Sequence, residues 1–90
     1  MIAIKTEIER KAHFSRYLFG SAVYSDTPTD IDIAIIYDKQ YVSIDEALAY
    51  RKEIARRLSE LNSMVIDTIL LSIEEEEEMS FLSNSKHFEF

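Results

Sequence analysis

The most regular hydrophobic spacing in the chain falls over residues 44–61. Ile44, Ala47, Leu48, Arg51, Ile54, Ala55, Leu58 and Leu61 recur at helical intervals, and seven of these eight are apolar, which is the mark of an amphipathic helix. Ser43 precedes Glu46 by three residues, so its side chain can accept from an orphan helix N–H while the glutamate reaches back. Asn62 and Ser63 close the pattern. Two other stretches, "IDIAIIYD" (31–38) and "MVIDTILL" (64–71), are apolar without a helical period. Their branched residues and lack of breakers predict buried strands.

Shorter signals fill the rest. Thr6 and Glu9 have capping-box spacing, and Ile4, Ile8, Ala12 and Phe14 or Ser15 form a short apolar stripe, predicting a helix over residues 6–15. "RYLF" (16–19) suits a short strand ending at Gly20. Ser21 to Thr29 is small and polar and holds Pro28, predicting a loop or a single helical turn. Ser72 and Glu75 make a third capping box, opening a helix over 73–82 whose early glutamates suit the helix dipole. The tail "SNSKHFEF" has no assignment. The order helix, strand, loop, strand, helix, strand, helix predicts an α/β (α+β) fold, a sheet covered by helices. The 90 residues are the size of one domain.

Composition changes this picture in a few places. Hydrophobic content of 47% and charged content of 30% are those of a folded chain. There is no cysteine, which excludes disulfides and thiolate metal sites. His13 and His87 form no recognisable ligand pair and read as ordinary surface or core residues. With no basic-then-apolar leader and no long apolar run, a cytoplasmic protein is expected. The formal charge is −7, which argues against direct nucleic-acid binding, since that rests on neutralising phosphates. Glu74 to Glu78 contribute much of it, as a solvated helix start or as a patch for a basic partner.

The candidate chemistry lies in three aspartates and one glycine. Side chains alternate along a strand, so Asp30 and Asp32 share a face with Ala34 and Ile36, while Ile31, Ile33 and Ile35 take the other. Two like charges so placed raise each other's pKa unless a cation separates them, and Mg²⁺ takes carboxylate oxygens while keeping room for water and phosphate. Asp67 is the one charged residue of "MVIDTILL"; there it needs a partner or a metal, and it would complete the cluster if its strand lies beside 31–37. A buried ion pair with an arginine of the central helix is the structural alternative. Average usage would supply roughly six glycines in this length, yet Gly20 is the only one. Followed by Ser21, it would let the backbone approach an anion closely. Phosphates on one side and metal-binding carboxylates on the other is the arrangement that phosphoryl or nucleotidyl transfer requires.

Gly20-Ser21, then Asp30-Ile31-Asp32, then Asp67 among apolar neighbours, resembles the DNA polymerase beta-type nucleotidyltransferases over about residues 5–75 of the chain. The brevity of the chain resembles their smallest branch, the minimal nucleotidyltransferases. The resemblance implies a mixed sheet of three to four strands flanked by helices. It also implies that Asp30, Asp32 and Asp67 form a two-metal Mg²⁺ site. Asp67 would help to activate the acceptor hydroxyl, and Gly20 and Ser21 would hold the triphosphate of ATP or another NTP. Members of this branch often pair with a helical HEPN-type protein, in several cases as an antitoxin that adds AMP to it. A separate protein is therefore expected to supply the acceptor. Many members carry an arginine and a glycine after the Gly-Ser pair, as in "GSxARG". Here Tyr24 and Ser25 stand at those positions, with Asp26 next to them. Lys39, Arg51 or Lys52 would have to supply the missing cation.

Other Asp-x-Asp chemistries fit poorly. An EF-hand loop starting at Asp30 would need glycine and glutamate where Ile35 and Tyr41 stand. A haloacid-dehalogenase-type phosphatase places its aspartates after an apolar strand, whereas this pair precedes one, and no Walker lysine or dinucleotide fingerprint is present. Two further functions remain open beside the transferase. One is a catalytically inactive module of the same fold that neutralises a partner by complex formation. The other is a sensor that binds ATP without transferring anything.

Overall fold

The computed structural model describes residues 4–20, 23, 30–84 and 86–90. Among the described residues, four strands, β1 (Phe14–Phe19), β2 (Asp30–Tyr37), β3 (Val65–Ser72) and β4 (His87–Glu89), and two helices, α1 (Ile44–Asn62) and α2 (Ile73–Met79), make a small α+β fold. The sheet is mixed, in the order β3-β2-β1-β4. The β1 strand runs antiparallel to β2 and β4, and β2 runs parallel to β3. A parallel pair needs a crossover, and α1 provides it.

The alternation of β2 decides what each face of the sheet does. Ile31, Ile33 and Ile35, with Leu18 of β1, pack against Tyr50, Ile54 and Leu58 of α1 in one core cluster. Ile4, Ile8 and Phe90 close the same cluster from the two ends of the chain. The opposite face carries Asp30, Asp32, Ala34 and Ile36. There α2 lies against part of the sheet, and Phe81 meets Phe19 edge to face with centroids 5.0 Å apart.

The helix ends follow their caps. The Ser43 hydroxyl accepts from the Glu46 N–H at 3.1 Å, and α1 ends where Ser63 turns left-handed at φ 53°. At α2 the capping box is complete, with Ser72 accepting from the Glu75 N–H and the Ser72 N–H donating to the Glu75 carboxylate. Donation from the Ser72 backbone N–H, and after it from the Ser72 hydroxyl, holds the Glu75 carboxyl below its ordinary value. Ser80, also left-handed at φ 51°, stops α2 at Met79 rather than at 82.

The expected helix over 6–15 does not form. Residues 5–11 carry no regular element, and the chain reverses at His13, with φ 70°, to enter β1 at Phe14. The carbonyls of Ile8 and Glu9, which a helix would bond internally, accept instead from the Arg16 guanidinium at 2.8 and 3.1 Å. Arg16 is 2% exposed, also donates to the Phe90 carbonyl, and lies 4.8 Å from the Phe90 ring centroid. A local capping pattern thus yields to a buried arginine that ties the first segment to the last. The unassigned tail supplies β4, whose Phe88 pairs with Leu18. Among the described residues no helix is long and apolar enough to cross a membrane.

Candidate functional site

The parallel register of β2 and β3 sets Asp32 directly beside Asp67 and Asp30 beside Val65. Paired residues in a sheet share a face, so all three aspartates project from the face opposite α1. Each offers a carboxylate oxygen within 4.8 Å of those of the other two. Asp30 and Asp32 are half-buried, and Asp67 is exposed on the edge strand. Asp67 is therefore not the partner of an arginine in the core; it faces its fellow carboxylates.

Crowding has an electrostatic consequence at the central member. Burial, and then the carboxylates of Asp30 and Asp67, push the Asp32 carboxyl above its ordinary value. A hard cation removes that conflict, and an all-oxygen donor set suits Mg²⁺, Mn²⁺ or Ca²⁺ rather than a softer metal. The spacing fits as well, since opposite ligands of an octahedral Mg²⁺ lie about 4.2 Å apart. The residues present thus fit a divalent cation.

Gly20 belongs to the same cluster for a reason the sequence did not disclose. It follows Phe19, whose cross-strand partner is Asp32. Its φ is +73°, and a Cβ built there would overlap the Asp32 Oδ2 and stand 3.1 Å from Cγ. Both the dihedral and the contact demand glycine. The Gly20 carbonyl accepts from the Val23 N–H at 3.0 Å. Ser21, the other residue expected at a triphosphate, lies outside the described residues, as do Tyr24, Ser25 and Asp26.

The cations expected to replace the missing arginine sit elsewhere. Lys39 follows the far end of β2, about 20 Å from Asp32 at strand spacing, and it acts on Glu75. Lys52 lines the outer surface of α1 with Arg56, and Arg51 is on that same helix, beyond the sheet from the aspartates. The donors of Arg16 are committed to carbonyls. His87, read from the sequence as an ordinary surface or core residue, pairs with Phe19 and so lies in one row with Asp32 and Asp67 across the sheet; its ring meets Tyr17 edge-on at 5.4 Å. No local signal marks it, because its strand forms only by pairing with β1.

No protein-family model, curated protein or solved structure matches the chain.

Proposed function

We propose that this chain is a divalent-metal-dependent nucleotidyltransferase of the minimal kind, moving a nucleoside monophosphate, AMP in the first instance, from an NTP to a hydroxyl. The observation that carries the reading is the meeting of Asp30, Asp32 and Asp67 on one sheet face with glycine packed against the central carboxylate. Asp30 and Asp32 would hold the metal ions with Asp67, and Mg²⁺ there would neutralise triphosphate charge and polarise the α-phosphorus. In the transfer, the acceptor oxygen bonds to that phosphorus, the bond to the bridging oxygen breaks, and pyrophosphate leaves. Asp67, the most exposed of the carboxylates, orients the acceptor hydroxyl and takes its proton. Gly20 and Ser21 would hold the triphosphate. A HEPN-type protein is the proposed acceptor, with this chain as its antitoxin.

Calorimetry with Mg²⁺ and a non-hydrolysable ATP analogue tests the reading. Binding that requires Mg²⁺ and disappears in the Asp30→Asn/Asp32→Asn variant supports it. Metal-independent binding, or none, removes it.

A second reading rests on the position of the cations. Asp32 feels only acidic neighbours among the groups that move its pKa, and the expected lysines and arginines lie off the site. A module that neutralises its partner by occlusion, with chemistry lost, would neutralise equally well without the two aspartates.

A further inference from the structure

On the face that carries the aspartates, a groove of about 260 Å³ runs between α2 and the sheet. It is lined by buried Ile36 and half-buried Tyr17 of the sheet, by exposed Ile73 and half-buried Leu82, and by half-buried Glu76 and exposed Glu77. This volume falls below the roughly 300–1,000 Å³ of pockets that enclose whole small ligands; it is the size for one long side chain. We propose that the groove receives a lysine or arginine side chain from a separate protein.

Charge complementarity selects the occupant. A long basic side chain lays its methylenes on apolar surface and keeps its charged head at a polar rim, and this groove offers that sequence of surfaces, with the Tyr17 ring as a further partner for a cation. The ion pairs among the described residues are Arg10–Glu89 and Arg56–Glu60, so Glu76 and Glu77 are not matched from within them. No residue of α2 is buried, and Ile73 and Met79 are 40% and 54% exposed. The short helix therefore presents outward an apolar wall and, at Glu76 and Glu77, carboxylates with no ion pair among the described residues.

Placement adds a consequence. Ile36 follows Asp32 by four residues on the same face of β2, about 13 Å along the strand. A protein surface anchored in the groove would stand over the three aspartates. The groove's occupancy does not depend on whether those aspartates perform chemistry, because none of them lines it.

The test is an amide-NMR titration with the peptide acetyl-Gly-Arg-Gly-amide and its uncharged citrulline counterpart. The expected result is shifts centred on Tyr17, Ile36, Ile73, Glu76 and Leu82, with citrulline binding about fivefold weaker. Glu76→Gln/Glu77→Gln should weaken arginine-peptide binding by about the same fivefold, and the groove-filling Leu82→Trp should remove the shifts, with circular dichroism confirming a folded chain. Glu74→Gln/Glu78→Gln, which removes the same charge outside the groove, should leave them in place. Equal loss in both glutamine pairs with no effect of Leu82→Trp would mean diffuse attraction to the helix and would overturn the proposal. So would the absence of shifts in the groove.

Discussion

Gly20 lies against the carboxylate of Asp32 so closely that a Cβ on the glycine would overlap Oδ2. The single glycine of the chain is thereby tied to the central member of the acidic cluster, whether or not a phosphate sits beside it. Gly20→Ala should cost about 2 kcal/mol, from the left-handed dihedral and the displaced carboxylate together. In an Asp32→Ala background the same change should cost about 1 kcal/mol less, because the colliding atoms are gone. Urea denaturation of the four proteins measures the coupling.

Asp32→Asn should stabilise the metal-free protein at neutral pH, by about 0.5–1 kcal/mol once solvent screening is allowed for. The sign follows from linkage. A carboxyl whose pKa is raised by folding favours the folded state fully below its unfolded pKa, and that contribution is lost as pH rises through the folded pKa. The advantage of the asparagine variant over wild type should therefore grow from acid to neutral pH and then level off. A series of thermal melts across that range would show it.

Mg²⁺ should reverse the ranking. An ion that binds only the folded state stabilises by mass action, about 2.7 kcal/mol at a hundred times its dissociation constant. Wild type should gain in Tm with Mg²⁺, by several degrees for each kcal/mol in a chain of this size, while Asp32→Asn should gain little. Scanning calorimetry with and without the ion reads both.

Arg16→Met should be among the most damaging single changes, at about 3 kcal/mol or more. It leaves the carbonyls of Ile8, Glu9 and Phe90 without their charged donor inside the core. Hydrogen exchange should rise first in β4 and the segment before β1, which this residue joins.

Ser72→Ala should destabilise the protein by about 1 kcal/mol, since it breaks a capping box at a position 2% exposed. The contribution of Glu75 to this box has the opposite pH sense from that of Asp32. Its lowered pKa gives stability that is present above the unfolded carboxyl pKa and lost as pH falls through the folded one. Acid titration of wild type against Ser72→Ala should show their difference narrowing.

The parts legible in sequence were those set by local periodicity. The isoleucines of β2 alternate with Asp30, Asp32 and Ala34, so strand parity alone assigned the aspartates to one face. The amphipathic spacing of α1 found Ala47, Ile54 and Leu58 of its buried side, but Ile44, Leu48 and Leu61 of the same stripe are exposed, and buried Tyr50 lay outside it. The Ser43 and Ser72 caps were read from the same few residues that form them. What escaped was set by partners distant in sequence. Thr6 and Glu9 have the same cap spacing, yet Arg16 captures the carbonyls a helix there would need. Nothing in "SNSKHFEF" marks a strand, because β4 exists only through its pairing with β1. The meeting of Asp67 with Asp32 depends on the register between β2 and β3, which the sequence offered as a condition. The reason for Gly20 was half visible: its exceptional status was evident, but its contact with Asp32 was not.

Intact mass of the HEPN-type protein proposed as acceptor, after incubation with Mg-ATP and this protein, separates transfer from binding. A mass gain of one AMP or a small multiple is expected, and none with the Asp30→Ala/Asp32→Ala variant. An unchanged mass in a stable complex of the two proteins would contradict transfer and leave occlusion as the function.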